Sequence, residues 1–404
     1  MNKMAKPTED EVVDQPHGGK SAAGLKILHV TSALTAGGAE TVMYRLISQT
    51  NGVEHEVICL GPREWYSSKL EERGIRVHHL EFQSVVSGFA GVRRLHRIIK
   101  SSDADLVQGW MYRGNILGGI SSRLAGKPVI WNIRCSSIDL LPAKSRALAY
   151  IGGILARWVP DLIMNCSAVS RQLHARIGYD SAAGTVIPNG YDPATFHPDD
   201  DGRAKLRGSL GVDEDCFLVG VFGRWDPNKA YPVFLRALRQ LRKRDMPLRV
   251  LFVGIGLERS NPEFASLVDR SGCADIVEGF GYRSDIPELA RAIDLHVLPS
   301  LTEGFPNVVA ETMLSGTPNV STEVGDTKLI VGDTGWIVQP GNVEQLVEAM
   351  EAAYNEWSTS PARWNERRNS ACARIAENFS LDRMVDAYQK NWARVAGQGG
   401  LIVS

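Results

Sequence analysis

Short apolar runs rich in β-branched residues alternate with helical patterns through the first half of the chain. The runs are LKILHVTS from Leu25, HEVICLG from His55, IRVHHLE from Ile75, ADLVQGW from Ala104, KPVIWNI from Lys127, DLIMNCS from Asp161 and TVIPNG from Thr185. Strands that alternate with helices are typical of a parallel sheet with helices on both faces. The pattern therefore predicts a doubly wound, Rossmann-like α/β domain over residues 25–190.

The alternation stops near Asn189 and then begins again. The sequence NGYDPATFHPDDDGR contains two prolines and an acidic run, which predicts an interdomain linker over residues 191–202. Further runs follow: FLVGVFG from Phe217, LRVLFVG from Leu248, DIVEGFG from Asp275, DLHVLPS from Asp294, a short strand near Asn319, and GWIVQP from Gly335. These runs predict a second Rossmann-like domain over residues 203–380.

A helix near the end of the second domain has a recognisable start. Asn342 is followed three positions later by Gln345, the spacing of a capping box, and the helix is predicted to run to Met350.

Composition limits the classes of protein to which the chain can belong. Its 404 residues suffice for two domains, and 45 basic against 46 acidic residues give no global reason to expect nucleic-acid binding. The six cysteines form no CxxC pair, which favours reduced thiols in a cytoplasmic protein. Residues 1–24 have no apolar core of a signal peptide and are expected to be a disordered tail. The uncharged run 147–156 is too short to span a bilayer, which needs about 20 residues, so a soluble protein is expected.

The stretch Ser300–Gly316, SLTEGFPNVVAETMLSG, carries the most specific chemistry. It follows a predicted strand and opens a predicted helix, so its turn lies at the carboxyl end of a strand, where open α/β sheets bind ligands. Pro306 suits a first helical turn, and the free N–H groups there can hold a diphosphate. Asn307 and Glu311 share a helix face, with Glu311 roughly 6 Å further along the axis. A carboxylate at that distance can accept hydrogen bonds from both ribose hydroxyls.

The two glutamates eight positions apart, within the form EGFPNVxxE, resemble the signature of family 4 glycosyltransferases of the GT-B fold. The resemblance covers nearly all of the chain after Gly24 and implies two Rossmann-like domains facing each other across a cleft, with a last helix of about residues 381–396 returning to the first domain. It implies that Glu303 contacts the donor sugar, that Glu311 binds ribose, and that backbone between them contacts sugar and phosphate. The residues that supply this backbone are Gly304, Phe305, Pro306, Asn307 and Val308.

Three other segments match the same family. The turn TAGGAE places Gly37 and Gly38 at a helix start, where backbone can approach a phosphate closely, although a plain tight turn has the same sequence. FGRWDPNKAY places Arg224 and Lys229 above the cleft, where two cations can neutralise a diphosphate leaving group. FGYRSDIPEL resembles the segment near the nucleotide base and contains Arg283. Solvated loop cations are the alternative for both basic segments.

The first domain departs from the wider family. Many members carry a His-x-His after the fourth strand, whereas this chain reads QGWMYRGN from Gln108 and resembles a WMY-containing subgroup. Arg113 stands where a histidine commonly follows the tyrosine, and Cys135 where another histidine is expected. Arg113 can steady donor or acceptor oxygens but cannot act as a base, because its charge is permanent. The predicted catalytic residues are thus Glu303, Arg224, Lys229 and Arg113.

Two further patterns have an alternative chemical meaning. Asp199–Asp201 is similar to a metal-binding DxD, but it follows Pro198 in the predicted linker, so a solvated acidic loop and no metal site are expected. The basic runs Val92–Lys100 and Arg236–Arg244 have the composition of a lipid-facing helix. An ordinary surface helix is favoured for both runs, with contact to a membrane surface as the alternative.

The resemblance therefore implies a retaining, metal-independent glycosyltransferase without a cofactor. The donor is a nucleoside diphosphate sugar and the acceptor a glycan or lipid-linked sugar, as in bacterial cell-surface polysaccharide synthesis. Closure of the two domains would exclude water from the cleft. A cytoplasmic location is expected, with peripheral contact to the inner face of the membrane as an option, and no nucleic-acid partner. A nucleotide-sugar epimerase or phosphorylase of the same architecture and a non-catalytic nucleotide-sugar binder are the alternatives.

Overall fold

Two parallel sheets hold the strands of the chain. The computed structural model describes residues 22–82, 85–135, 138, 141–244 and 246–398, so most of the predicted tail lies outside the described residues. The first sheet has the order β3-β2-β1-β4-β5-β6-β7. Its strands are β1 Lys26–Thr31, β2 Glu54–Cys59, β3 Arg76–His79, β4 Leu106–Trp110, β5 Val129–Ile133, β6 Leu162–Asn165 and β7 Gly184–Val186.

The second sheet has the order β10-β9-β8-β11-β12-β13, and all described pairings in both sheets are parallel. Its strands are β8 Phe217–Phe222, β9 Leu248–Val253, β10 Val277–Gly279, β11 Leu295–Leu298, β12 Asn319–Thr322 and β13 Trp336–Val338. In each sheet, the second and third strands along the chain are added on one side of the first strand (β1 or β8), and the later strands are added on its other side. This change of side is typical of doubly wound folds. The predicted fold class, two Rossmann-like domains, is confirmed.

Helices cover both faces of each sheet. The helices before the second sheet are α1 Gly38–Gln49, α2 Trp65–Glu71, α3 Val85–Ser101, α4 Met111–Leu124, α5 Ala143–Leu155 and α6 Ala168–Ala175. Those that follow are α7 Asp200–Ser209, α8 Tyr231–Arg242, α9 Pro262–Ser271, α10 Ile286–Ala292, α11 Asn307–Leu314, α12 Thr327–Val331, α13 Val343–Thr359, α14 Pro361–Asn378 and α15 Leu381–Gln398. Across the described residues, none of these helices combines the length and apolarity needed to cross a membrane.

The chain returns to the first domain in α15. Trp392 in this helix donates a hydrogen bond from Nε1 to Gln108 Oε1 at 2.6 Å, and Tyr388 accepts one from Asn132. Leu381, Met384 and other apolar side chains of α15 pack in the same core as β1, β2 and α1. The last helix therefore completes one face of the first sheet.

Two local predictions were wrong. Asp199–Asp201 does not lie in a linker loop, because Asp199 caps α7 by accepting a hydrogen bond from Gly202 N at 3.0 Å and also pairs with Arg291. The preceding proline made the segment resemble a loop, although Pro before an N-cap is compatible with a helix start. Helix α13 extends to Thr359, well beyond Met350.

The capping box of α13 is only half formed. Asn342 accepts from Gln345 N at 3.0 Å as predicted, but the Gln345 side chain accepts from Gln339 N instead.

A buried carboxylate connects the second domain to the first. Asp326, which is 4% exposed, accepts a hydrogen bond from Ala168 N at 3.2 Å, at the start of α6. Burial raises the pKa of Asp326, and hydrogen bonds from the Ala168 and Val169 backbone offset only part of that increase. The ionised carboxylate is thus held at this interface at a cost in solvation.

Asp326→Asn is expected to change how stability depends on pH. Because the pKa is raised on folding, the stability that Asp326 contributes is fully present below its unfolded pKa and is lost as pH rises through the folded value. An asparagine keeps an acceptor for Ala168 but does not titrate. Urea unfolding at a series of pH values should therefore show the free energy of unfolding of the wild type falling relative to the variant above pH 3.8. Parallel profiles for the two proteins would contradict the assignment.

Candidate functional site

A cleft of about 500 Å³ lies between the two domains at the carboxyl ends of their strands. The first domain contributes the turn before α1, and the second contributes the loops after β8, β9, β10 and β11. The structure brings most of the predicted donor-binding residues to this one cleft: Gly37, Gly38, Arg224, Lys229, Arg283, Glu303, Phe305, Pro306, Asn307, Val308 and Glu311. Residues up to 274 positions apart in the sequence therefore share a single surface.

The turn between β11 and α11 has the predicted architecture. Pro306 is the residue before the first helical residue, Asn307, and the helix continues to Leu314. The first N–H groups of a helix have no partner within it and carry the positive end of the helix dipole. Because Phe305, Pro306 and Val308 all line the cleft, this helix start is placed to hold an anion there.

Gly304, another predicted contact, is not among the residues that line the cleft. Its carbonyl accepts a hydrogen bond from Asp326 N at 3.0 Å. Gly304 therefore joins the turn to the segment that meets the first domain, and its predicted contact with the donor remains a prediction.

Lys229 and Glu303 form an ion pair inside the cleft. Lys229 Nζ lies 2.7 Å from Glu303 Oε1, and the Ser300 hydroxyl donates to the same oxygen at 2.7 Å. Both charged side chains are mostly buried, with 19% and 15% of their surface exposed. Among the described residues, the hydrogen bonds to this carboxylate use Oε1, so Oε2 is available to a ligand hydroxyl. Glu303 is consequently an oriented group and not a solvated helix-start acid.

The loop that carries Lys229 is fixed at both ends. Asn228 accepts a backbone hydrogen bond from Leu301 N at 2.7 Å, which ties this loop to the turn that carries Glu303. Ala230, which follows Lys229, has φ 50° and ψ 37°, a left-handed conformation that is uncommon for alanine. A Cβ on Gly223 would lie 3.3 Å from Lys229 Cε, so glycine leaves room for the lysine side chain. The lysine is therefore positioned by surrounding structure, at the expense of some backbone strain.

Arg224 lines the same cleft but is more exposed. Its guanidinium donates to Asp226 Oδ2 from Nε at 3.1 Å and from Nη2 at 2.9 Å. Burial acts to raise the pKa of Asp226, but the Asn228 N–H and the Arg224 guanidinium lower it below its usual value. Asp226 thus stays ionised and orients Arg224, a partner that the sequence did not indicate.

Glu311, the predicted ribose ligand, is paired with a residue of the other domain. Arg45 Nη2 in α1 lies 2.7 Å from Glu311 Oε1, and both side chains are less than 20% exposed. Within the described residues, Arg45 Nη1 is buried without a hydrogen-bond partner. Sequence reasoning missed Arg45 because it is a single basic residue in an amphipathic helix, 266 positions from Glu311.

The side chain of Asn307 is hydrogen-bonded to residues near the linker. Its Oδ1 accepts hydrogen bonds from Tyr191 OH at 2.8 Å and from Asn189 Nδ2 at 2.5 Å. Arg134, the residue after β5, in turn donates to Asn189 Oδ1. The side-chain carbonyl of Asn307 is therefore occupied by residues near the linker, and the predicted contact of its main chain with the donor remains a prediction.

The glycine turn approaches the helix start across the cleft. Gly37 is the N-cap of α1, and a Cβ there would lie only 2.3 Å from Glu40 Oε2. At Gly38 a Cβ would lie 3.6 Å from Asn307 Nδ2. The folded-back Glu40 carboxylate, whose pKa is raised by burial, thus lies directly against Gly37, and the turn faces α11.

Arg283 and the residue before it line another part of the cleft. Arg283 donates from Nε to Asp285 Oδ1 at 2.7 Å, and its guanidinium lies 5.5 Å from the Phe280 ring centre. The neighbouring Tyr282 ring meets Trp65 of the first domain edge to face at 6.2 Å. Tyr282 therefore brings an aromatic ring to this part of the cleft and contacts a ring of the first domain.

Arg113, the fourth predicted catalytic residue, is not among the residues that line the cleft. It lies in the first turn of α4 with its guanidinium 5.2 Å from the centre of the Phe82 ring. The neighbouring Tyr112 donates from its hydroxyl to His174 Nε2 at 2.8 Å, because the other ring nitrogen donates to the Ser170 carbonyl. The structure therefore does not bring Arg113 together with Glu303 and Lys229, and its catalytic role remains a prediction.

Each half of the chain matches the model of a known protein family. The family model described as "Glycosyl transferases group 1" matches residues 216–356, and the model described as "Glycosyltransferase Family 4" matches residues 36–195. These two ranges contain most of the cleft residues of the second domain and the glycine turn of the first.

Several named relatives have sequences similar to this chain over part of their length. D-inositol 3-phosphate glycosyltransferase of Rhodococcus erythropolis is 30% identical over 58% of this chain and 54% of its own, so the chain spans about half the length of that relative. UDP-Gal:alpha-D-GlcNAc-diphosphoundecaprenol alpha-1,3-galactosyltransferase of Escherichia coli is 24% identical over 75% of this chain and 79% of its own. The lipopolysaccharide core biosynthesis mannosyltransferase LpsB of Rhizobium meliloti is 28% identical over 56% of this chain and 65% of its own.

The crystal structure of Anabaena HepE in complex with UDP-glucose has the same fold. It superimposes with a TM-score of 0.80, covering 92% of this chain and 100% of HepE at 23% identity. At that identity, the likeness establishes the two-domain fold and nothing about the ligand of this chain.

Proposed function

Because the chain belongs to the group 1 glycosyltransferases, also described as glycosyltransferase family 4, we propose that it transfers a sugar from a nucleoside diphosphate donor to an acceptor hydroxyl. The observation that carries the proposal is the Lys229–Glu303 ion pair beside the start of α11, with Glu311 further along the same helix. In one cleft, the chain thus offers a cation, an anion-binding helix start and a carboxylate at each end.

The diphosphate is proposed to lie between the start of α11 and the two cations. Main-chain N–H groups near Val308 would hold its oxygens, with Lys229 on one side and Arg224 on the other. Positive groups that are already in place stabilise the charge that develops on the diphosphate as the glycosidic bond breaks. Asp226 and Glu303 hold these cations in position before the donor arrives, which lowers the cost of reorganisation.

The two glutamates are proposed to fix the two ends of the donor. Oε2 of Glu303 is available to hydroxyls of the transferred sugar while Oε1 keeps its hydrogen bonds to Lys229 and Ser300. Glu311 would accept hydrogen bonds from the ribose hydroxyls, which requires it to exchange or share its contact with Arg45. Donor binding would therefore act directly on an ion pair that joins the two domains.

Retention of the anomeric configuration and independence from metal ions and cofactors also belong to the proposal. Lys229, Arg224 and the helix start supply the positive charge that a divalent cation supplies in other phosphate-transfer sites. Retention is supported by the family resemblance alone.

A glycan or lipid-linked acceptor is proposed on the side of the first domain. Of the relatives named above, one transfers galactose to a diphosphoundecaprenol-linked sugar and another is a mannosyltransferase of lipopolysaccharide core biosynthesis, as their names state. Arg113 would then contact the acceptor or donor oxygens from α4, if domain closure carries it towards the cleft. We propose cell-surface polysaccharide synthesis as the setting and the cytoplasm as the location.

A product assay separates this proposal from its alternatives. Purified protein is screened by thermal shift against UDP- and GDP-sugars, and the sugar that raises the melting temperature most is used as donor. A ligand at about 100 times its Kd stabilises by about 2.7 kcal/mol. With a lipid-linked glycan acceptor, we expect a donor-dependent product heavier by one sugar. An epimerised donor formed without acceptor would indicate an epimerase, and donor binding without any product would indicate a binding protein.

A further inference from the structure

Positive charge is concentrated in one segment of the chain. Residues 85–158 contain 11 basic and 3 acidic side chains, a formal net charge of +8, whereas the remaining residues contain 34 basic and 43 acidic side chains. The near-neutral net charge of the whole chain thus conceals a strongly basic segment, whereas the rest of the chain is acidic. In the structure this segment forms α3, β4, α4, β5 and α5.

Its three helices form one layer on the first sheet. Helix α3 packs against α4, and α4 packs against α5. Leu95 of α3 shares a core with Leu28 and Val30 of β1, whereas the neighbouring Ile27 packs in the core that contains α15. Because successive strand residues point to opposite faces, α3 covers the face opposite α15. The outer surface of this helical layer, called here the α3–α5 face, is therefore open to solvent.

Large apolar side chains are exposed on the α3–α5 face. Six of the twelve such side chains found among the described residues lie on α4, on α5 or just after α5, and they are between 37% and 74% exposed. They are Ile120, Leu124, Tyr150, Ile151, Ile154 and Trp158. The end of α4 lies against the segment that follows α5, since Arg123 Nε donates to the Val159 carbonyl at 2.6 Å. A cluster of this kind usually marks an interaction surface.

Exposed cations lie next to this apolar cluster. Arg94, Arg97 and Lys100 are exposed on α3, which is adjacent to α4. Apolar side chains that enter the boundary between headgroups and acyl chains, flanked by basic ones that contact lipid phosphates, are the arrangement of a surface-bound protein. A nucleic acid would use the cations but would give no role to exposed isoleucine and leucine side chains.

We propose that the α3–α5 face docks this protein onto the surface of an anionic lipid bilayer. Ile154, Trp158 and Leu124 enter the interface, and the cations of α3 bind the lipid phosphates. The sequence favoured an ordinary surface helix for residues 92–100, because the apolar side chains that complete the surface come from α4 and α5. None of these residues lines the cleft, so docking does not depend on the proposed glycosyl transfer.

Vesicle sedimentation tests the proposal without any sugar donor. The full-length protein is expected to sediment with vesicles of equal parts phosphatidylglycerol and phosphatidylcholine, less so at high salt, and not with phosphatidylcholine alone. Each basic residue near an anionic surface contributes about fivefold to binding. Arg94→Glu with Arg97→Glu, and separately Ile154→Ser with Trp158→Ser, are each expected to lower the partition coefficient about tenfold or more.

Matched variants in the second domain control for general charge and hydrophobicity. Arg236→Glu with Arg239→Glu removes two exposed arginines at the same three-residue spacing on α8, and Leu329→Ser removes an exposed leucine. These are expected to leave vesicle binding within about twofold of the wild type. Absence of binding to anionic vesicles by the wild type would overturn the proposal. So would equal losses for the α3 and α8 variants, or unchanged binding by the Ile154 and Trp158 variant with its melting temperature preserved.

Discussion

Lys229→Ala is expected to lower kcat for sugar transfer by about 10²–10³-fold, the loss typical for removing one preorganised donor at a developing negative charge. The lysine is held 2.7 Å from Glu303 Oε1 by a loop with fixed ends, so its charge is already in place when the diphosphate departs. Because that charge interacts most strongly with the leaving group in the transition state, kcat should fall more than donor affinity. Steady-state kinetics with a saturating acceptor, together with donor titration by calorimetry, measures both quantities.

Lys328→Ala is the matched control for that experiment. Lys328 also forms an ion pair with a glutamate, Glu323, at 3.1 Å, but the lysine is 71% exposed and the pair does not line the cleft. An exposed pair contributes about 0–1 kcal/mol to stability, so kcat should stay within about twofold of the wild type. If Lys229→Ala and Lys328→Ala had the same kcat, Lys229 would have no role in the chemical step.

Glu311→Ala is expected to raise the Kd of the donor about 10²-fold while changing kcat much less. Two hydrogen bonds to a charged group are lost, each contributing about 1.5 kcal/mol, and ribose is remote from the bond that breaks. A change that weakens ground state and transition state equally raises KM and leaves kcat unaltered. Glu348→Ala, on an exposed position of α13, is the control and should bind donor normally.

The Glu311→Ala variant is also expected to lose stability, because Arg45 loses its ion-pair partner. Removal of Glu311 leaves a mostly buried guanidinium without its partner, and such a loss typically costs about 3–5 kcal/mol of stability. The double variant Arg45→Met with Glu311→Ala removes the unpaired charge and should recover most of the melting temperature. Its donor Kd should remain about 10²-fold raised. Recovery of donor binding along with stability would show that Glu311 acts through folding and not through the ribose.

The fold was predictable because it depends on local periodicity. Seven short apolar runs before the linker and six after it correspond to the strands of the two sheets. The turn before α11 was also predictable, since Pro306 and the helix that follows it are encoded within a few positions. The second-domain part of the site was therefore largely foreseen, with Lys229, Arg224 and both glutamates at one cleft.

The partners of those residues were not predictable from spacing. Arg45 meets Glu311 across 266 positions, and Asn189 meets Asn307 across 118. Neither contact follows from periodicity, because both depend on how two separately folded domains face each other.

A structure of the protein with a bound nucleoside diphosphate tests the central claim most directly. Crystals soaked with UDP or GDP are predicted to show the diphosphate at the start of α11, within hydrogen-bond distance of Lys229 or Arg224, and the ribose hydroxyls at Glu311. The contact between Glu311 and Arg45 should be broken or shared in that complex. A diphosphate bound outside the interdomain cleft, or a ribose that leaves the Arg45–Glu311 pair untouched, would contradict the account.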